Sequence, residues 1–206
     1  MAAVLTADIV HSTRLRTEDL RALLATEAGL LAGTRFEFYR GDSFQAFLPD
    51  AGGALRLVLA VRTAARRLNQ EYGEGLIDVR CALGLAPGDA APERVRTASG
   101  PAFLLSGRSF DALAEGERLA IASELEEANL PLSLLARFTD HLLRQLTGRQ
   151  AAVIFELLGN RSQQDVARVL GKSPATISQH AHAGAWPELE RLLRDYNTLI
   201  DRYALS

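Results

Sequence analysis

The stretch TRFEFYRGDSFQAFLP, residues 34–49, alternates apolar and polar side chains on either side of a central Gly41-Asp42 pair. Alternation with a period of two is typical of β-strands, and Gly-Asp between two such runs favours a tight turn. We therefore predict a β-hairpin with Gly41-Asp42 at or near its bend. Asp42 has two interpretations: it is a plain turn residue, or it presents a carboxylate to a metal ion or a phosphate chain at the sheet edge.

Further strands and helices are predicted on both sides of this hairpin, since apolar runs indicate strands and capped amphipathic runs indicate helices. The predicted strands are at 2–10, 76–86 and 117–123, and the predicted helices are at 17–33, capped by Thr17, 51–73 and 101–116. The resulting order, β-α-β-β-α-β-α-β, is typical of an α+β fold. It predicts a mostly antiparallel, ferredoxin-like sheet with its helices on one face.

The pattern changes after Ser123, because only helix signals follow it. Pro131 is expected to break the first helical stretch. Four shorter helices follow it, three of them beginning at Thr147, Ser162 and Ser173 as capping residues and the last with Pro187 near its start. We therefore predict three parts: a sheet-containing domain at 1–123, linking helices at 124–145, and an all-α domain at 146–206.

Composition limits the class of protein. The 206 residues are 48% hydrophobic and 23% charged with a net charge of -2, which excludes a broadly basic nucleic-acid coat but not a local DNA-binding face. No apolar run is long enough to cross a bilayer and no signal peptide precedes the first strand, so we expect a cytoplasmic protein without a membrane partner. The single cysteine, Cys81, lies in an apolar run, which favours a buried thiol.

Two aspartates form the candidate site of the first domain. Asp8 lies near the end of the first strand, which is central in this topology, so its carboxylate and that of Asp42 can converge. A divalent cation relieves the repulsion between two such carboxylates, and Mg²⁺ or Mn²⁺ held by carboxylates and nucleotide phosphates is the expected arrangement. The loop after Asp8 offers the hydroxyls of Ser12 and Thr13 as nucleotide contacts. Alternatively, Asp8 caps the following segment.

Four segments in order carry a family resemblance: ADIVHSTRL (7–15), YRGDSFQAF (39–47), GLAPG (84–88) and GPAFLLSGRS (100–109). They resemble the metal-binding and catalytic segments of class III nucleotide cyclases, and the hairpin also resembles that of diguanylate cyclases. The combination of DIV-x-S, GDSFQ and GPAF is still more similar to the SatD family. The resemblance implies a cyclase- or palm-like ferredoxin sheet, Asp8 and Asp42 as metal ligands, and Arg108 as the transition-state arginine.

The chain departs from the cyclase pattern at the positions that read the base. Leu104 stands at the asparagine position, Thr97 at the partner-acid position, and the segment around Phe38 has no purine-reading lysine. A polar recognition site that loses its hydrogen-bonding groups loses discrimination strongly. We therefore expect the domain to be catalytically degenerate. Arg108 has the alternative interpretation of a surface arginine that pairs with Asp111.

The segment SQQDVARVLGKSPATISQHAHAG, residues 162–184, has the pattern of a helix-turn-helix. An apolar stripe ends at Leu170, Gly171 supplies a left-handed turn residue, and Ser173-Pro174 begins the second helix. The segment resembles the DNA-reading unit of LuxR-type regulators and sigma-factor region four. In those proteins a sequence like LTGRQ (146–150) also precedes the unit.

The outward positions of the second helix are the candidate DNA contacts. Gln179 is suited to read adenine, Thr176 to meet a thymine methyl or a phosphate, and Lys172 and His180 complete the predicted surface. Further candidate phosphate contacts are Arg149, Arg161 and Arg168. Residues 147–206 carry seven Lys/Arg and six Asp/Glu, so a unit that serves only packing or dimerisation remains an alternative.

Together these patterns predict a bacterial transcription-regulator-like protein. Its cyclase-like domain would sense a nucleotide or metal or serve for dimerisation, and its helix-turn-helix would bind DNA. A homodimer is expected, since class III cyclases build their sites between two domains and helix-turn-helix proteins read two half-sites. The alternatives are an active metal-dependent nucleotidyl cyclase or transferase, against which Leu104 and Thr97 argue, and a protein-interaction module without DNA binding.

Overall fold

The computed structural model describes residues 1–39, 41–88 and 91–204. Arg40 in the predicted hairpin, Asp89 and Ala90 in the predicted loop, and the last two residues of the predicted all-α domain lie outside the described residues.

The described part of the chain contains one mixed sheet of five strands in the order β2-β3-β1-β4-β5. All neighbouring pairs are antiparallel except β4 and β5, which are parallel. The α+β class is therefore confirmed. The strands are β1 (Ala2–Val10), β2 (Arg35–Tyr39), β3 (Ser43–Leu48), β4 (Asp78–Ala86) and β5 (Leu119–Ser123).

The helices differ from the predicted segments mainly at their ends. The predicted helix at 51–73 is a short 3-10 turn followed by two separate helices, and Thr17 is the first helical residue rather than the cap, which is Arg16. The helices are α1 (Thr17–Leu31), α2 (Ala54–Arg66), α3 (Asn69–Tyr72), α4 (Pro101–Asp111), α5 (Glu126–Gln145), α6 (Gly148–Leu158), α7 (Gln163–Leu170), α8 (Pro174–Ala183) and α9 (Trp186–Ala204).

Both faces of the central strand β1 are covered by helices, which corrects the prediction of helices on one face. Leu5 and Ile9 belong to the large core beneath α1 and α2, whereas Val4 belongs to a smaller apolar cluster with residues of α4. Successive side chains of a strand point to opposite faces, so α4 lies on the other side of the sheet. The run AAVLTADIV is nearly all apolar, which is typical of a strand buried on both faces.

Gly84 of β4 allows α4 to approach the sheet closely. A Cβ at this position would lie 2.1 Å from the backbone oxygen of Ala102 and 2.5 Å from the backbone nitrogen of Ser106. Real Cβ atoms do not come this near to backbone atoms, so the absence of a side chain at Gly84 sets the distance between α4 and the sheet. Nearby, Thr6 donates a hydrogen bond to Ser106 Oγ at 3.0 Å.

The C-terminal helices pack on the same core as the sheet. One contiguous cluster of buried side chains joins Leu5 and Leu59 to Leu143 of α5, Ile154 of α6 and Tyr196 of α9. The Tyr196 hydroxyl donates to the backbone oxygen of Ala51 at 3.0 Å. The predicted boundaries after residues 123 and 145 thus fall within a continuous hydrophobic core, and the division into domains stays a prediction.

A buried charge network links three elements beneath the sheet. Arg62 of α2 contacts Asp78 of β4 at 2.8 Å and Asp140 of α5 at 2.7 Å, and Arg66 also contacts Asp78 at 2.8 Å. Arg66 donates in addition to the backbone oxygen of Leu146, between α5 and α6, at 2.7 Å. Burial by itself disfavours the carboxylate of Asp78, but the two guanidiniums hold its pKa below its ordinary value.

Helix α5 continues through Pro131, which corrects the predicted break. Proline has no N–H to donate to the carbonyl four residues earlier, here that of Glu127. The hydroxyl of Tyr203 on α9 donates to this freed oxygen at 3.4 Å. Packing of α9 against α5 therefore supplies the hydrogen bond that the proline removes.

Of the helices in the described residues, none combines the length and the apolar character needed to span a membrane.

Candidate functional site

The Asp8 carboxylate lies on the α4 face of the sheet, toward the end of β1. It is half-buried, and its partner across the antiparallel β1–β3 ladder is Ser43, whose hydroxyl donates to Asp8 Oδ1 at 2.7 Å. Its partner on the other side is Arg80 of β4, whose Nη2 lies 3.9 Å from Asp8 Oδ2. The carboxylate is therefore held between a hydroxyl donor and a guanidinium.

Asp42 is held at the same end of the sheet by a different serine. The hydroxyl of Ser12, a buried residue in the loop after β1, donates to Asp42 Oδ2, and the Ile9 amide donates to the Asp42 backbone oxygen at 3.3 Å. Asp42 directly precedes Ser43, the partner of Asp8. The structure thus brings Asp8, Asp42 and Ser12 together in one region and gives each carboxylate its own serine donor.

The arginine beside Asp8 is Arg80 rather than Arg108. The Arg80 guanidinium lies 4.4 Å from the ring centroid of Phe110 on α4, which orients it over the sheet. Arg108 is exposed on α4, and no ion pair is recorded for it within the described residues. Arg80 was not among the predicted site residues, although the alternation of β4 and its register with β1 are the signals that place it on the Asp8 face.

The two hydroxyl residues in the loop after β1 differ in burial. Ser12 is buried against Asp42, whereas Thr13 is exposed. His11 precedes them in the left-handed conformation, with φ 56° and ψ 32°. This conformation is uncommon for a residue with a side chain, and such residues cluster at binding and active sites.

Phe38, at a position expected to read a purine, does not face the Asp8 site. The Phe38 ring packs at 5.4 Å from the Phe44 ring and so belongs to the α1–α2 face, opposite to Asp8. Its neighbour Glu37 faces the Asp8 side, where Glu37 Oε2 accepts a hydrogen bond from the Arg96 amide at 3.2 Å. Leu104 is 52% exposed on α4.

The oxygen atoms around Asp8 and Asp42 meet only part of what a hard cation requires. Carboxylate and hydroxyl oxygens are ligands that Mg²⁺ and Mn²⁺ prefer. Within the described residues, however, no cluster of three or more His, Cys, Asp or Glu side chains could hold a metal, and Arg80 supplies a competing positive charge to Asp8. A cation here would need further ligands, and the phosphates of a nucleotide are the class of ligand that supplies them.

A second candidate region is the pair of short helices α7 and α8. Gly171, which ends α7, has φ 61° and ψ 38°, the left-handed conformation expected at this turn. Ser173 then caps α8, where its hydroxyl oxygen accepts from the Thr176 amide at 3.1 Å. Val166 of α7 and Ile177 of α8 are fully buried in a small apolar cluster with residues of α6.

The predicted DNA contacts fall into two groups on this pair of helices. Gln179 and Lys172 are exposed. Thr176 and His180 are half-buried and line a groove of about 520 Å³ between α8 and α6, to which Arg149 and Lys172 also contribute. Gln179 therefore points outward alone, while the other three side chains share the groove with Arg149.

The candidate phosphate contacts differ in their existing partners. Arg161 pairs with Glu156, and Arg168 pairs with Asp165 at 3.2 Å. Within the described residues, no ion pair is recorded for Arg149 or Lys172, and both are exposed. Two of the four candidate cations are thus already compensated by acids, and the other two border the same groove.

No protein-family model matches the chain, and no curated protein is similar enough in sequence to count as a relative. The resemblances to class III cyclases, to the SatD family and to helix-turn-helix regulators therefore stay predictions.

Proposed function

We propose that the protein is a bacterial DNA-binding regulator in which α7 and α8 form a helix-turn-helix and α8 reads the major groove. One observation carries the proposal: Lys172 and Gln179 are exposed, while Ile177 on the same helical unit is fully buried. The polar face is thus left uncovered by the rest of the described chain. The left-handed Gly171 and the Ser173 cap supply the turn that such a unit needs.

The two groups of side chains suggest two roles on DNA. Gln179, on the outward face of α8, is the side chain suited to bidentate contact with adenine. Lys172 and Arg149 border the groove that Thr176 and His180 line, and we assign these four to the phosphate backbone. Phosphate contacts set position and affinity, whereas the base contact sets sequence preference, so the two roles are separable by mutation.

The test begins with the full-length protein and a pool of random duplexes, from which bound sequences are selected and then measured by fluorescence anisotropy. Gln179→Ala should relax preference at one base pair, because a good bidentate contact contributes roughly 1–3 kcal/mol of discrimination. Lys172→Ala should weaken binding to all sequences. It should also reduce the slope of log K against log salt concentration by about one, the change expected for one lost phosphate contact. Arg21→Ala, which removes one positive charge from an exposed position on α1, is the matched control.

The DNA-binding proposal would be refuted if no sequence is enriched, or if Lys172→Ala and Arg21→Ala lower DNA affinity equally. The interaction-module alternative would then lead, since α7 and α8 would serve only packing or contact with another protein.

For the sheet-containing part we propose a ferredoxin-like, cyclase-related scaffold that has lost cyclase activity. The strand order β2-β3-β1-β4 and its antiparallel pairing support the ferredoxin-like assignment. Loss of activity is supported by Leu104, by Arg108 making no recorded contact with Asp8 in the described residues, and by Phe38 on the wrong face. The protein should make no cyclic AMP or cyclic GMP at a useful rate, and robust Asp42-dependent production would overturn this assignment.

Asp8 and Asp42 remain candidates to hold a divalent cation together with a nucleoside triphosphate. The supporting observation is that both carboxylates lie at one end of β1 and β3 with serine donors. If they bind, Mn²⁺ with a nucleoside triphosphate should raise the melting temperature by mass action, and Asp8→Asn or Asp42→Asn should weaken that shift. A shift that both variants retain would place the cation elsewhere.

A further inference from the structure

Helix α5 carries an exposed apolar stripe that the fold does not use. Leu130, Leu134 and Phe138 follow one another at intervals of four residues and are 71%, 58% and 50% exposed. Residues four apart share one face of a helix. Of the five large apolar residues that are exposed in the described part of the chain, these are three. Grouped exposure of this kind marks an interaction surface, whereas single exposed apolar residues do not.

The stripe points away from the molecule's own core. Leu132, Leu135 and Leu143 occupy the opposite side of α5 and are buried in the main hydrophobic cluster. No other element of the described chain therefore competes for Leu130, Leu134 and Phe138.

The charges beside the stripe are unequally distributed along α5. Glu126 and Glu127 occupy the first turn, and Arg137, His141 and Arg144 occupy the second half. All five are exposed. No ion pair is recorded for Glu126 or Glu127 within the described residues, while Arg144 pairs with Asp140 at 3.3 Å and stays 47% exposed. The helix surface is acidic at its start and basic toward its end.

We propose that this stripe is the interface of a homodimer in which two α5 helices pack antiparallel about a two-fold axis at Leu134. The two Leu134 side chains meet on the axis. Leu130 and Phe138 each lie about 6 Å from Leu134 along the helix, so Leu130 of one copy packs against Phe138 of the other. The same patch thus serves both protomers, as a two-fold interface requires.

The charge pattern identifies the occupant as a second copy in this orientation. Glu127 and His141 each lie about 10 Å from Leu134, in opposite directions, so the two-fold axis brings Glu127 of one copy to His141 of the other. Glu126 lies about 12 Å from Leu134 in one direction and Arg144 about 15 Å in the other, so the same axis brings them to within about 3 Å of each other along the helix. Parallel packing would instead place Glu127 beside Glu127 and the basic ends together, and like charges at an interface oppose association.

The first test is the mass of the full-length protein in solution, measured by light scattering and sedimentation velocity at micromolar concentration. The measured mass of the wild type should be twice the 22.3 kDa mass of one chain. Leu134→Glu places two carboxylates on the axis and should raise the dissociation constant by about a hundredfold or more. Leu104→Glu makes the same change at a leucine that is 52% exposed on α4, and should leave the dimer intact.

A charge exchange tests the orientation. Glu127→Lys should weaken the dimer by about tenfold, because it faces the basic end of the other copy, and adding His141→Glu should restore association. Circular dichroism checks that each variant is folded, which the exposed positions of the substitutions favour.

Three results would overturn the proposal: a wild-type monomer, a dimer that Leu134→Glu leaves unchanged, or a dimer that Leu104→Glu dissociates. Failure of the double variant to recover association, with Leu134→Glu still disruptive, would exclude the antiparallel arrangement. The inference goes beyond DNA binding and stands on different residues. Because the masses are measured without nucleic acid, its failure and the failure of Gln179-dependent DNA recognition are seen separately.

Discussion

Glu27 should make the stability of this protein fall as the pH rises. It lies on α1 between Leu23 and Leu31, one turn away from each, and all three are buried in the main core. Among the residues that the structure describes, neither carboxylate oxygen of Glu27 has a hydrogen-bond partner. Burial without a partner disfavours the charged form and raises the pKa of Glu27 from its ordinary 4.5 to about 8.

The sign of the effect follows from proton binding. Between pH 4.5 and 8 the folded protein keeps the Glu27 proton that the unfolded chain releases, so the stabilising contribution is complete below 4.5 and is lost as the pH rises through 8. Each pH unit within this window lowers the free energy of unfolding by about 1.4 kcal/mol. From pH 5 to pH 7.5 the loss is about 3 kcal/mol, a large share of the stability of an ordinary domain.

Urea unfolding of the wild type and of Glu27→Gln between pH 5 and pH 7.5 measures this effect. The amide cannot ionise, so the difference between the two free energies of unfolding should grow by about 1.4 kcal/mol per pH unit in favour of the variant. Glu18→Gln, on the same helix but exposed, should follow the wild type at every pH. Parallel pH dependences for the wild type and Glu27→Gln would refute the reasoning, because Glu27 would then ionise at the same pH in both states.

Three further predictions concern positions where the packing is specific. Gly84→Ala should destabilise the fold by roughly 1–3 kcal/mol or more in chemical denaturation, because the added Cβ would meet the backbone of α4. Gly107→Ala is the control: it lies within α4 with open space around it, and should be neutral or stabilising by about 0.5–1 kcal/mol in the same assay. Asp78→Asn leaves two buried guanidiniums without their shared carboxylate and should cost about 3–5 kcal/mol in the same assay. Burial raises the pKa of the Cys81 thiol, so a thiol reagent should label native protein only at the rate of unfolding; fast labelling would contradict the buried placement.

Local sequence signals predicted the parts of the structure that depend on near neighbours. The hairpin strands follow from two-residue alternation, and the Ser162, Ser173 and Thr147 caps follow from short-range hydrogen bonds of a serine or threonine side chain. The left-handed conformation of Gly171 is set in the same way by the end of one helix. These features involve residues a few positions apart, and their geometry varies little between proteins.

Features that depend on distant contacts were predicted less well. The break at Pro131 was wrong because the compensating hydrogen bond comes from Tyr203 on another helix. The placement of α4 on the second face was missed because its decisive contact, at Gly84, joins segments far apart in sequence. Arg80 was overlooked beside Asp8 for a related reason: strand register, rather than a motif, brings the two together.

The buried charge network also fixes the start of the C-terminal helices to the sheet. Arg66 holds Asp78 of the sheet with one nitrogen and the backbone oxygens of Arg144 and Leu146 with another, immediately before α6 begins. The segment between α5 and α6 is therefore held to the sheet by buried hydrogen bonds, and we do not expect it to act as a hinge. If the chain binds DNA as the proposed dimer, we expect a ligand at the proposed Asp8–Asp42 site to act by changing how the two protomers are oriented. The spacing of their α8 helices would then shift without a change within either protomer.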